Sequence, residues 1–243
     1  MCDRQITCPD KIKVLPPALP RAFMTSSITA ADLAPALPCS TDTYIDDTIR
    51  WLERAVIGLN LCPFAKAVHV KGQIHYAVAL ATTAHDALEL LRNELKELAN
   101  TPAEVRDTTL LVMPYCLPDF LDFNDFLGDA EDVLHALGLE GTLQLASFHP
   151  QFQFAGTEVD DVTNCTNRSP YPMLHLLRED SIDRAVSVFP EAEAIFERNM
   201  EVLEGIGMAG WQALDVGPHG KSGEHASANA GGDWARPTQG TVL

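Results

Sequence analysis

The chain has 243 residues, 46% of them hydrophobic, enough for one substantial domain with tails. Its formal net charge of −17 and pI near 4.7 argue against phosphate-backbone binding, which relies on Lys and Arg clusters, so no nucleic-acid partner is expected. No apolar run approaches the roughly 18 to 20 residues of a membrane span, and the six cysteines show neither a CxxC pair nor zinc-ribbon spacing, so reduced thiols in a cytoplasmic protein are expected.

Residues Met1 to Ser40 are Pro-rich and lack a periodic apolar face, which predicts a disordered leader, with Met24 as an alternative start. Thr41 to Leu59 predicts a first helix with an inward stripe of Ile45, Ile49, Leu52, Val56 and Leu59. Asp46 and Asp47 suit the positive end of its dipole. Cys62 then stands before Pro63, at a break just past that helix.

Ile74 to Thr82 alternates and predicts a strand. Thr83 caps a helix with the stripe Leu88, Leu91, Leu95 and Leu98. Thr108 to Met113 is a short apolar run suited to a strand buried on both faces. Asp119 caps the next helix, Gly138 closes it, and Leu143 to Phe148 is a third strand. A helix is predicted from Pro172 through Arg178, with more helix over Ser181 to Phe189 and again after Pro190. From Asp215 the chain turns to Gly, Ser, Ala and Asn, which predicts a disordered tail over 215–243.

The fold expected is a single α/β domain over 41–214. A small sheet of three or more strands (a β-α-β-α-β core) is flanked by helices, including an N-terminal helix and C-terminal helices. With parallel, right-handed crossovers the strands end together at Thr82, Pro114 and His149, the edge where open α/β sheets bind ligands. The long stretch Ser147 to Glu179 begins there. A loop of that length with so much to bury (Phe148, Phe152, Phe154, Tyr171) reads as ordered and functional.

His149, between a buried strand and Pro150, reads equally as a general base and as a histidine bonded to loop backbone. His175, with Arg178 and Glu179 three and four residues on, would share one helix face with them. No metal site is expected, because HExxH and paired ligand spacings are absent. Asn167, Arg168 and Ser169, opening onto a helix N-terminus, read as an anion site, with Arg168 as the clamp or else as a brace to Asp160 or Asp161. Cys62 beside Lys66 is the best thiol candidate, although a buried inert cysteine is the commoner outcome. Cys116 and Cys165 have weaker claims. No nucleotide or serine-hydrolase fingerprint is expected; GxxxxGK[ST] and GxSxG are absent.

From about Tyr44 to Leu214 the chain resembles a mainly bacterial family catalogued as domain of unknown function 1415. The matching stretches are AVIGLNLCPFAKAVHVKGQI, DFLDFNDFL, LASFHPQFQFAGTE and TNRSPYPMLHLLRE, with SIDRAV after the last. The resemblance implies no activity, fold or cofactor. The family's shared blocks map onto Cys62, Pro63, Phe64, His149, Pro150, Asn167, Arg168, Ser169, Pro170 and His175. A tyrosine is usual in that family where this chain has Cys165, which weakens any role for that thiol.

The leading expectation is an enzyme acting on a small anionic metabolite, phosphorylated or carboxylated. Arg168 with the helix N-terminus after Pro170 would bind the anion, with His149, His175 and Cys62 as catalytic candidates and Asn167, Ser169 and Arg178 as further ligand contacts. The rival is a non-catalytic binding or interaction module using the same loop. A metal held by His149, His175 and a carboxylate is a third reading.

Overall fold

The computed structural model describes residues 40–187 and 194–219. The leader, residues 188–193 and the chain from residue 220 lie outside the described residues, and with them the expectations made there. Helix α1 (Thr41–Trp51) runs into a π-helical turn, Leu52–Ile57, followed by α2 (Ala65–Val70) and strand β1 (Ile74–Val78). Next come α3 (Ala84–Asn100), β2 (Thr108–Val112), α4 (Phe120–Ala136) and β3 (Leu143–Phe148). A 3-10 turn (Val162–Thr166), β4 (Met173–Arg178), α5 (Glu179–Ser187) and α6 (Ile195–Ala213) complete the order.

The caps follow from the sequence. Thr83 Oγ1 accepts from Asp86 N–H and donates to the Asp86 carboxylate, a reciprocal cap on α3. Asp119 accepts from the N–H groups of Leu121 and Asp122 to start α4. At the end of the π turn only glycine fits, because a Cβ on Gly58 would lie 2.3 Å from the carbonyl oxygen of Arg54.

The sheet has the order β1-β2-β4-β3. β1 and β2 are parallel, and β4 is antiparallel to both β2 and β3. β1, β2 and β3 therefore run the same way and end at one edge. Helices α3 and α4 cover one face, burying Leu91, Leu95, Leu98 and Phe123 against Leu111, Leu174 and Leu176. Each such buried side chain contributes about 1.5–3 kcal/mol. On the other face α1 and the π turn bring Trp51, Leu52 and Val56 onto Leu110, Val112 and Met173. Helix α6 packs on the 3-10 turn through Leu203 and Cys165.

Three expectations are corrected. The segment after Pro172 is strand β4, not helix. Its run Met-Leu-His-Leu-Leu is apolar on both sides, which periodicity cannot tell from a helix turn, and the slot between β2 and β3 supplies main-chain partners along both edges. Of the predicted stripe Leu52 and Val56 are buried, but within Thr41–Trp51 the buried face carries Tyr44, Asp47, Thr48 and Trp51, leaving Ile45 and Ile49 half-buried. The ordered chain also continues past Leu214, with Val216 buried in the α1 cluster and contacts running to His219.

Because β3 and β4 are antiparallel neighbours, the loop between them leaves and rejoins the sheet at the edge where the parallel strands end. The predicted long loop is thus a wide hairpin connection confined to that edge.

Candidate functional site

The loop's polar side chains point into its own backbone. His149 is fully buried. Its Nδ1 accepts from Gln151 N–H at 3.0 Å. That leaves the proton on Nε2, which donates to the Leu117 carbonyl at 3.1 Å. The ring packs against Phe120 and Phe123, and burial lowers its pKa. With both nitrogens bonded to main chain, His149 ties the mouth of the loop to the turn before α4.

Arg168 donates through Nε to the Phe152 carbonyl and through Nη2 to that of Val159, at 3.2 and 2.6 Å. It braces the loop, as one reading of the sequence has it, through these carbonyls, and its charge adds to the lowering of the Asp161 pKa that the Thr163 hydrogen bonds dominate. The helix N-terminus meant to assist it is absent, since β4 stands there. Asn167 Nδ2 donates to the Ser147 carbonyl and Ser169 Oγ to that of Tyr171. Asn164, buried inside the loop, bonds the backbone of Phe154 and Glu158 and the hydroxyl of Thr157. A loop running over a protein must pair its covered backbone groups, and here side chains do it.

The other candidates are scattered. His175 lies in mid-strand, with Nε2 2.7 Å from Thr108 Oγ1, and burial pushes its pKa down to about 4. Thr108 Oγ1 donates to the Leu176 carbonyl, so His175 is the donor to Thr108. The proposed i, i+4 pairing of His175 with Glu179 disappears with the helix. Arg178 reaches the carbonyls of Leu98, Thr101 and Arg106, closing the end of α3. Burial raises the pKa of Cys62, against a partial lowering by main-chain N–H of Phe64 and Ala65. The same direction holds for Cys116 and Cys165, and all three are free thiols. Among the described residues no three or more His, Cys, Asp or Glu side chains are placed to hold a metal. Gly205, Gly207 and Gly210 do fall at G-x-G-x-x-G spacing, correcting one expectation. They lie inside α6 with no strand before them, so the strand–turn–helix setting of a dinucleotide site is missing.

The fold instead gathers polar groups along α1, from Tyr44 to Arg50 in its last turn, next to the ends of β2 and β3. Asp47, 1% exposed, receives the Tyr171 hydroxyl at 2.6 Å and the main-chain N–H of His219 at 2.9 Å, both on Oδ2. Its Oδ1 is 2.9 Å from Arg50 Nη1, an ion pair that lacks hydrogen-bond alignment, and lies 3.1 Å from His219 Nδ1. Arg50 Nη1 also lies 2.9 Å from His219 Nδ1. Arg50 can only donate, so Nδ1 accepts and the imidazole proton sits on Nε2. The His219 side chain is 60% exposed. Arg50 further holds the carbonyls of Asp215 and Gly217, and Arg54 that of Leu214. Beside them the Tyr44 and Tyr115 hydroxyls are 2.5 Å apart, with Tyr115 40% exposed. The Tyr44 ring meets those of Tyr115 and Tyr171 edge-on.

A family model described as "Protein of unknown function (DUF1415)" matches residues 43–213. The chain belongs to this family. No curated protein and no solved structure matches it. The DUF1415 match covers α1, the sheet and the loop, and so includes Asp47, Arg50, Tyr115 and Tyr171, whereas His219 lies beyond it. Sequence reasoning missed this group because its members are far apart in the chain. One signal was available: Asp47 stands three residues after Tyr44 and four before Trp51, a carboxylate on the face that also carries the tryptophan.

Proposed function

We propose that this DUF1415 chain is an enzyme acting on a small anionic metabolite at the Asp47–His219 corner. The observation that carries this reading is a buried carboxylate, Asp47, paired with the partly exposed guanidinium of Arg50 and gripping with it an exposed imidazole at the carboxyl edge of the parallel strands. The exposed side chains carry donors: His219 Nε2–H, and the Tyr115 hydroxyl when Tyr44 donates to it. Donors held in place by a buried network suit a carboxylate or phosphate oxygen, or negative charge developing on oxygen during reaction. Asp47, Arg50 and Tyr171 would position; His219 and Tyr115 would contact substrate.

The test is a thermal-shift screen of the full chain against phosphorylated and carboxylated metabolites. A compound that raises the melting temperature of the wild type and of Arg168→Ala, but not of His219→Ala or Tyr115→Phe, is the expected result. No shift with any compound, or a shift indifferent to both substitutions, overturns the proposal. A second reading, a non-catalytic interaction module, is favoured by one observation: His149, Asn167, Arg168 and Ser169 all bond within the protein.

A further inference from the structure

The sheet ends at β1, and the register fixes which of its main-chain groups are used. The Gln73 carbonyl accepts from Thr108 N–H and Ala79 N–H donates to the Val112 carbonyl. Main-chain groups alternate along a parallel pair, so 73, 75, 77 and 79 face β2 while Ile74, Tyr76 and Val78 turn theirs outward. No described strand lies beyond them. The usual protections of an edge are missing as well: β1 carries no proline and no lysine, and each of its residues is half-buried.

The surroundings specify what fits. On α3, Asp86, Leu90, Asn93 and Glu97 recur at spacings of three and four, on one side of the helix. Leu90, Asn93 and Glu94 on that side line a recess of about 30 Å³ against Ala77 and Ala79, so this side faces β1. A recess of that size takes a water or the tip of one side chain. On the other face Glu53, half-exposed, stands near enough to Tyr76 to raise its pKa, together with burial. The open edge is therefore flanked by Asp86, Glu94 and Glu97 on one side and Glu53 on the other, in a chain of net charge −17. Glu94 pairs with Arg106 and lies 3.7 Å from His75, and Glu53 bonds His69 at 3.1 Å, whereas Asp86 and Glu97 face solvent and carry most of the selection.

We propose that the β1 edge binds an extended, lysine- or arginine-bearing peptide by strand addition. Main-chain bonds to Ile74, Tyr76 and Val78 would supply the affinity, and the carboxylates on either side would select basic side chains. A second copy of this equally acidic chain fits less well, because it would set these carboxylates against their own kind. The inference is independent of the anion site, which lies on α1 and the strand ends.

The experiment titrates the full chain with a peptide of alternating lysine and valine, and with its glutamate–valine counterpart. Binding of the lysine peptide alone, weakened by salt, is expected. Val78→Pro removes one outward N–H and leaves the ladder to β2 intact, so it should weaken binding about tenfold with an unchanged melting temperature. Asp86→Lys with Glu97→Lys should weaken it severalfold and flatten the salt dependence. No binding, equal binding of both peptides, or indifference to Val78→Pro with the fold intact would overturn the proposal. So would self-association that Val78→Pro abolishes in the absence of peptide binding.

Discussion

Two regions at the same edge of the sheet use polar side chains in opposite ways. In the loop from His149 to Pro172, polar groups close in sequence turn inward and satisfy backbone, as His149, Asn164, Arg168 and Ser169 do. At the α1 corner, polar groups distant in sequence converge, and two of them, His219 and Tyr115, remain exposed. A long covered loop has no ladder to pair its main chain, so its own side chains are consumed in pairing it. Exposed donors survive where separate elements meet and hold one another.

The comparison can be broken by substitution. His149→Ala should have the largest effect on stability, about 3–4 kcal/mol. It removes a ring packed between Phe120 and Phe123 and strands the Leu117 carbonyl and the Gln151 N–H. Urea unfolding measures it; a loss under 1 kcal/mol (about the value of an ordinary hydrogen bond) would mean that His149 is not a structural post.

Acid is the next lever. Unfolded histidine binds its proton near 6.5, whereas His175 in the fold does so only near 4. Between those values the unfolded state holds more protons, so stability is fully present above pH 6.5 and falls as pH drops towards 4. His149, also lowered, acts in the same direction. Unfolding midpoints from pH 7 to 4 should fall. His175→Gln should flatten the slope, and an unchanged slope would remove His175 from the account.

Asp47→Ala should cost about 2–3 kcal/mol, because it leaves Arg50 and the Tyr171 hydroxyl without their partner, and should abolish any ligand shift. Arg168→Ala should cost about 1–2 kcal/mol by freeing two carbonyls, while leaving ligand response intact. The smallest stability change belongs to His219→Ala, within about 0.5 kcal/mol for an exposed side chain. That variant nevertheless sharpens the contrast most, since, like Tyr115→Phe, it should lose ligand response, and it should do so with its melting temperature preserved. If Arg168→Ala abolished the response and His219→Ala did not, the roles assigned to the two regions would be reversed.

The sequence by itself determined the strand–helix alternation from Ile74 to Phe148, the caps at Thr83 and Asp119, and the edge at which the parallel strands end. Those rest on short-range rules, a period of two or of about 3.6 and a side chain reaching its own helix's N–H groups. It also narrowed His149 to two roles, although its neighbours could not choose between them. Only the tertiary structure decided that Met173–Arg178 is a strand, because a run apolar on both sides becomes one or the other according to what flanks it. Only the tertiary structure turned Asp47 inward and set it against Tyr171 and His219, partners 124 and 172 residues further along the chain. Hydrogen-bond partners are chosen by proximity in space, and along a chain that folds back on itself the nearest group in space need not be near in sequence.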